Sequence, residues 1–165
     1  MTPHRATDDF RIALAGLMPQ LRAYARFLAR DVARADDLVQ DTVLRAMDEE
    51  AQWQPGSDLR AWAFRILRNV FLGQLRRGGA ERRALGRFDP EARSAPAQLD
   101  SAELRELGLA LDRLPLAQRE ALVLVAALGF SIAEAATICN VPDGTVKARV
   151  SRARAALARR FVPDT

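Results

Sequence analysis

The last part of the chain contains two helical patterns that are separated by a turn of only three residues. Ser131 opens the first pattern, residues 131–139, and Glu134 stands three residues later, which is the spacing of a capping box at a helix start. Residues 140–142, Asn-Val-Pro, form the turn, and the second pattern covers residues 142–160. Because so short a turn makes its two helices cross at a steep angle, the pair predicts a DNA-binding helix-turn-helix.

The second helix of this pair separates apolar, small and basic residues onto different faces. At about 100° per residue, its apolar positions share one stripe: Val146, Val150, Ala153 and Leu157. Small residues occupy the opposite side, and a slim face between basic flanks fits the ~12 Å major groove of duplex DNA. The residues predicted to contact DNA are Thr145, Lys147, Arg149, Ser151, Arg152 and Arg154. A solvated basic helix on an ordinary bundle is the alternative.

Residues 59–77 form a second basic pattern, with aromatic residues at its start. It contains five arginines and no acidic residue, and Trp53 precedes it in a Pro-Gly turn. Arginine beside an exposed aromatic ring suits single-stranded nucleic acid, whose bases stack while its phosphates are neutralised. The residues predicted for this surface are Trp53, Arg65, Arg68, Asn69 and Arg76. For Trp62, which borders the face, core packing is an equal alternative, and we expect Phe64 and Phe71 to pack in the core.

Apolar residues at three- and four-residue spacing also cover the N-terminal part of the chain. One amphipathic pattern runs from Phe10 to Leu28, with residues 7–9 as expected capping residues and Pro19 as an expected kink or break. Another runs through residues 35–47 and has an acidic opposite face. Strand-like alternation is absent from the sequence, so we predict an all-α protein.

A change of composition after residue 77 predicts two small helical domains. Residues 78–100 mix glycine, proline, alanine and charged residues, which is typical of a flexible linker. Beyond it, helical patterns cover residues 101–114, 116–128, 131–139 and 142–160. We therefore predict one domain at residues 8–77 and another at residues 101–160.

Composition argues against several other classes of protein. Cys139 and His4 are the only cysteine and histidine, so we expect no metal site, no cofactor and no intrachain disulfide, and a packing role for Cys139. The sequence contains no nucleophile–base set and no phosphate loop, so we expect no enzyme. Without an apolar run of ~18 residues or a signal-peptide pattern, we expect no membrane association and a cytoplasmic location.

Three motifs, in order along the chain, resemble those of the extracytoplasmic-function sigma factors of the sigma-70 family. Residues 36–42 (DDLVQDT) resemble the family's polymerase-binding segment, and residues 59–77 resemble its −10 element helix. Residues 144–147 (GTVK) and 151–154 (SRAR) resemble its −35 element domain. The amino-acid sequences of the −10 helix and the helix-turn-helix are most similar to those of the general-stress-response subgroup. The chain departs from that subgroup at Ala63, where a larger apolar residue is common, and at residues 141–143.

The resemblance implies a promoter-reading transcription factor with a region 2 helical bundle and a region 4 helix-turn-helix. It implies docking on core RNA polymerase, at the β′ coiled coil and the β flap, and reading of promoter DNA at −10 and −35 elements. The implied polymerase-binding residues are Asp36, Asp37, Leu38, Val39, Gln40 and Asp41. The subgroup further implies a stress response in which a small anti-sigma protein holds the chain inactive.

Two other functions compete with this interpretation. One is a sigma-like decoy that binds an anti-sigma protein without reading DNA, although both basic surfaces are retained here. The other is a conventional helix-turn-helix regulator with an N-terminal effector domain, which would not require the DDLVQDT segment.

Overall fold

The computed structural model describes residues 3–84 and 101–161, and the regular elements in these ranges are all helices. This confirms the predicted all-α fold. The chain divides into two compact units, Met1–Ala95 and Pro96–Thr165. Within the described ranges, no helix is both long and apolar enough to cross a lipid bilayer.

The described part of the first unit contains four α-helices, α1 (Pro3–Gly16), α2 (Met18–Ala29), α3 (Val32–Asp48) and α4 (Leu59–Ala84), and a 3-10 turn, Glu50–Gln52. Pro19 splits the first amphipathic pattern into two helices. It lies in the first turn of α2, where a backbone N–H would have no intrahelical acceptor, so the N–H that proline lacks costs no hydrogen bond. The expected capping by residues 7–9 is wrong. The first helix begins at Pro3, so these residues lie within it.

The core of the first unit lies where α2, α3 and α4 meet. Tyr24 is completely buried, and its ring stacks at 5.1 Å on Phe64 of α4 and at 6.4 Å on Phe27 of its own helix. Leu38 of α3 is also completely buried. Phe71 is 8% exposed, so Phe64 and Phe71 both pack in the core as predicted.

Helix α4 continues to Ala84 rather than ending at residue 77. Gly78 and Gly79 each weaken the helix by about 1 kcal/mol but do not end it. Residues 80–84 are alanine, glutamate and arginine, which favour a helix. The remainder of the predicted linker, residues 85–100, lies outside the described residues.

The described part of the second unit contains four α-helices, α5 (Ala102–Asp112), α6 (Leu116–Leu122), α7 (Ile132–Cys139) and α8 (Asp143–Phe161). The single helix expected over residues 116–128 is instead α6 followed by a π-helical turn, Val123–Ala127. In this wider turn the N–H of Leu128 donates to the carbonyl oxygen of Val123 at 2.9 Å. Gly129, with φ of 71°, then ends the segment.

Local hydrogen bonds cap the start of α7 and form the predicted turn between α7 and α8. The hydroxyl of Ser131 accepts from the backbone N–H of Glu134 at 3.1 Å, and the Glu134 carboxylate accepts from the N–H of Ser131 at 2.7 Å. This confirms the capping box. Asn140 ends α7 in the left-handed region with φ of 55°, and the carbonyl of Pro142 accepts from the N–H of Thr145 at 3.0 Å. The two helices of the predicted helix-turn-helix are therefore joined as the sequence indicated.

Loss of the Ser131 hydroxyl should destabilise the second unit. We expect Ser131→Ala to lower its free energy of unfolding by about 0.5–2 kcal/mol, because the backbone N–H of Glu134 loses its acceptor at the start of α7. Ser131→Thr keeps the hydroxyl and is the matched control. Chemical denaturation measures the effect, and equal stability of all three proteins would contradict it.

Side chains from all four helices build the core of the second unit. Leu124, Ile138 and Val146 are completely buried. An ion pair between Arg119 and Asp112 (3.2 Å) joins α6 to α5. Cys139 is 4% exposed and lies in this core, in agreement with the packing role expected for it.

Candidate nucleic-acid interfaces and docking helix

Helix α8 presents one apolar face to its own unit and a slim, basic face to solvent. Val146, Val150 and Ala153 are buried at 0%, 5% and 0% exposure. On the opposite side of the helix, Ser151 and Arg152 are exposed. Burial therefore divides α8 as the sequence pattern predicts.

Basic side chains also lie along both flanks of this face. Thr145 and Arg149 are half-buried on one flank, and Lys147 and Arg154 are exposed on the other. Within the described residues, none of these cations has a carboxylate partner. Asp143 is the only acidic residue in the helix. The structure thus places the six predicted −35 residues on the outer side and the two flanks of one helix, and no ion pair among the described residues neutralises their four cations.

The solvent face of α4 is a second such surface. Arg65, Asn69 and Arg76 are exposed and fall within about 40° of one another at 100° per residue. Arg68 is half-buried on a neighbouring flank. Arg60 has a structural role instead, because its Nε donates to Gln20 of α2 at 2.6 Å and its guanidinium lies 5.8 Å from the centre of the Phe64 ring.

The turn before α4 is built by local interactions. Residues 54–57 have proline second and glycine third, and Gly56 has φ of 91°, a combination typical of a type II turn. The N–H of Ser57 donates to the carbonyl of Gln54 at 3.0 Å and closes it. Asp58 then caps α4 by accepting from the N–H of Arg60 at 3.0 Å.

An aromatic cluster lies beside this turn. Trp53 and Trp62 are half-buried, and both contact Phe10 of α1, with ring centroids 5.6 Å and 6.0 Å away. Trp62 therefore combines the two alternatives: its ring packs on Phe10, and part of it remains at the surface. Sequence reasoning missed the role of Phe10. Its place in the first amphipathic pattern predicts that Phe10 is buried, but it does not predict which residues Phe10 packs against.

The six residues of α3 predicted for polymerase binding do not share one environment. Leu38 and Val39 are 0% and 3% exposed and belong to the face that packs on the other helices, so they support the helix from within. Their apolar spacing with the rest of the buried face already indicates this position. Asp36, Asp37 and Gln40 are exposed, as is Asp41. These four polar side chains form what we call the docking face.

A groove of about 740 Å³ lies between α2 and α3 on the side of Asp36 and Gln40. Its walls combine charged and apolar side chains: Met18, Arg22 and Arg26 from α2, and Asp36, Val39, Gln40, Val43 and Leu44 from α3. Leu44 is 62% exposed at its edge. Sequence reasoning missed the contribution of α2, because only the packing of the two helices reveals which residues of α2 border the docking face.

The other edge of the docking face is connected to α4. Asp41 accepts a hydrogen bond from the side-chain amide of Gln74 at 3.0 Å. The docking face therefore lies between the groove on one side and the basic helix on the other.

The second unit exposes large apolar residues that the sequence analysis did not single out. Leu104 and Leu107 lie one turn apart on α5 and are 49% and 38% exposed. Leu116, at the start of α6, is 42% exposed. Apolar side chains exposed together are typical of a contact with another macromolecule.

Two protein-family models match the chain, one in each unit. Residues 15–81 match "Sigma-70 region 2", and residues 104–157 match "Sigma-70, region 4". The first match covers the groove, the docking face and most of α4, and the second covers the helix-turn-helix.

Curated and solved proteins resemble the chain over nearly its whole length. The "ECF RNA polymerase sigma factor EcfG" of Rhodopseudomonas palustris is 46% identical over 159 residues, which is 96% of this chain and 88% of that protein. The sigma factor RpoE of Bartonella quintana, solved in complex with the anti-sigma factor NepR, is 42% identical with a TM-score of 0.80 and covers 95% of this chain and 99% of its own. CnrH, solved in complex with the cytosolic domain of CnrY, is 30% identical with a TM-score of 0.69, covering 98% and 96%.

Proposed function

We propose that this chain, which belongs to the extracytoplasmic-function group of the sigma-70 family, uses four separate surfaces to bring RNA polymerase to its promoters. The observation that carries the proposal is the arrangement of exposed charge. Arg65 and Arg76 on the outer face of α4 and the cations of α8 have no carboxylate partners among the described residues, whereas α3 of the same chain exposes carboxylates. A protein that binds DNA at two places and a protein partner at a third requires this division of charge.

In the proposal, α8 reads the −35 element in the major groove. Ser151 lies on the slim outer face and Arg152 at its border, where base edges are within reach. Lys147 and Arg154, on the flank, are placed for phosphates and set the register of the helix on the duplex. Thr145 and Arg149 approach the groove from the other flank.

Helix α4 and the turn before it would capture the −10 non-template strand as the duplex opens. Arg65 and Arg76 neutralise its phosphates, and Asn69 between them offers hydrogen bonds to a base edge. Arg68 adds charge from the flank. Trp53, with its partly exposed ring beside the 54–57 turn, offers an apolar surface to an unstacked base.

The docking face of α3 would bind the β′ coiled coil of core polymerase. Asp36, Asp37 and Asp41 provide negative charge for a basic partner, and Gln40 adds donors and an acceptor. The groove beside them, with the exposed Leu44, accepts an apolar side chain of the partner. On the second unit, we assign the exposed Leu104 and Leu107 to the β flap.

A small anti-sigma protein is part of the proposal because a 42% identical sigma factor, RpoE, has been solved with the anti-sigma factor NepR. Such a protein would act by covering the docking face or the apolar residues of α5, since either blocks polymerase. The general-stress subgroup to which the motifs are similar makes a stress stimulus the proposed trigger. A decoy that binds an anti-sigma protein without reading DNA is the less favoured alternative, because it needs neither basic surface.

Run-off transcription tests the proposed function directly. The purified chain, free of any anti-sigma protein, is added to core RNA polymerase with a library of promoter fragments that carry different −35 and −10 sequences. We expect transcripts from a defined subset of fragments and none from core polymerase alone. Binding to core polymerase without any promoter-specific transcript would support the decoy and contradict the proposal.

A further inference from the structure

Phe10 connects the first helix to the turn that precedes α4. Its side chain is 2% exposed, although α1 lies at the edge of the unit and its neighbour Ile12 is 71% exposed. The Phe10 ring meets Trp53 at a tilt of 49° and Trp62 nearly edge-on, at 71°. Both centroid distances, 5.6 Å and 6.0 Å, lie in the range where aromatic pairs attract each other beyond simple burial.

No side-chain hydrogen bond holds the Trp53 ring among the described residues. Its indole Nε1 is buried and has no acceptor there. The backbone N–H of Trp53 donates to the carbonyl of Glu50 at 3.1 Å, which holds the main chain but not the ring. A buried N–H without an acceptor favours movement of the ring towards water. The position of the ring therefore depends on its packing against Phe10.

Trp53 is also the residue directly before the 54–57 turn. The backbone N–H and the hydroxyl of Ser57 both donate to the carbonyl of Gln54, so the turn holds its own conformation and its position follows from the residues that flank it. On the other side, Trp62 lies in the first turns of α4 and is held by the same Phe10 ring. Phe10 thus connects the two tryptophans, one in the turn and one on the basic helix.

We infer that Phe10 is a positioning residue for the −10 strand: it holds Trp53, and with it the start of the 54–57 turn, beside Trp62 of α4. Being buried, Phe10 does not itself contact DNA. The inference rests on the proposed function, in which Trp53 meets the unstacked base. It adds that α1, which carries none of the predicted contact residues, controls how well the turn is prepared for that base.

Intrinsic fluorescence reports on this cluster alone, because Trp53 and Trp62 are the only tryptophans in the chain. In a Trp62→Phe background, we expect Phe10→Ala to shift Trp53 emission to the red and to increase its quenching by acrylamide. Phe10→Leu, which keeps apolar volume but lacks the ring, should give a smaller shift. Ile12→Ala on the exposed side of α1 is the matched control and should leave emission unchanged.

The functional readout is the affinity of the holoenzyme for a single-stranded −10 oligonucleotide. We expect Phe10→Ala to weaken it by about three- to tenfold, which corresponds to loss of one aromatic pair. Binding to core polymerase, which the proposal assigns to the same unit as Phe10, should remain unchanged, and unfolding of that unit would not allow this. If Phe10→Ala also weakens core binding, Phe10→Leu replaces it in the test. Phe10→Leu should then weaken oligonucleotide binding while core binding stays unchanged.

A double-mutant cycle with Trp53→Ala separates this inference from the proposed function. If Phe10 acts through Trp53, the double variant should bind the oligonucleotide no more weakly than Trp53→Ala alone. Losses that add fully, or an unchanged affinity in Phe10→Leu and Phe10→Ala while Trp53→Ala weakens binding, would overturn the inference. Unchanged affinity in Trp53→Ala would instead overturn the proposed role of Trp53 in strand capture.

Discussion

Glutamate at both Lys147 and Arg152 is expected to lower the affinity for −35 duplex DNA by about 100-fold or more. Both side chains are exposed on α8, and neither has a carboxylate partner among the described residues. The double change removes two contacts to DNA and adds two charges that the phosphates repel. The buried stripe of the helix is left intact, so the second unit should keep its fold.

Titration of labelled duplex at several salt concentrations measures this effect. The salt dependence of binding should become less steep, because fewer counterions are released when fewer phosphates are neutralised. Glutamate at both Arg105 and Arg113 is the matched control, since it reverses the same number of exposed cations outside α8. If the double variant and the control lose affinity equally, the effect belongs to net charge and α8 does not read the duplex.

Arginine in place of Asp37 is expected to reduce binding to core polymerase by about 100-fold or more, because like charges brought together at an interface cost several kcal/mol. Asp37 is exposed on the docking face, one turn before Asp41, and its replacement disturbs none of the buried residues of α3. Competition against labelled wild-type chain for core polymerase measures the loss.

Asp9→Arg provides the control for this reversal, because Asp9 is equally a solvent-facing aspartate of the first unit but lies on α1. Both variants should bind −35 duplex as the wild type does, which shows that the second unit is unaffected. Wild-type core affinity in Asp37→Arg would remove α3 from the proposed polymerase contact. It would leave the groove between α2 and α3 as the surface to examine next.

Several features that depend on neighbours a few residues apart were predicted correctly, although the capping expected from residues 7–9 was not. The capping box needs only Ser131 and Glu134, the break between α1 and α2 needs only Pro19, and the turn before α4 needs only the Pro-Gly pair at residues 55–56. Each results from hydrogen-bond capacity or backbone sterics within one or two turns. The division of α8 into apolar and basic faces is equally local, because it follows from the helical repeat.

Boundaries were less well predicted where several weak preferences compete. Gly78 and Gly79 suggested a helix end, but the residues that follow them favour the helix and α4 continues to Ala84. The π-helical turn Val123–Ala127 has no marker in its composition. Its extra residue is accommodated because the surrounding core, and not the local sequence, sets where Leu124 and Phe130 are buried.

The helical class of the chain, the start and turn of its helix-turn-helix and the faces that carry basic and acidic charge could be predicted from the sequence, because these properties follow from the order of residues along a helix. The contacts of Phe10 with Trp53 and Trp62 and the groove between α2 and α3 become visible only in the folded chain. These arrangements join residues that are far apart in the chain. Their positions depend on how side chains from different helices fill a shared volume, and no spacing within one segment encodes that fit.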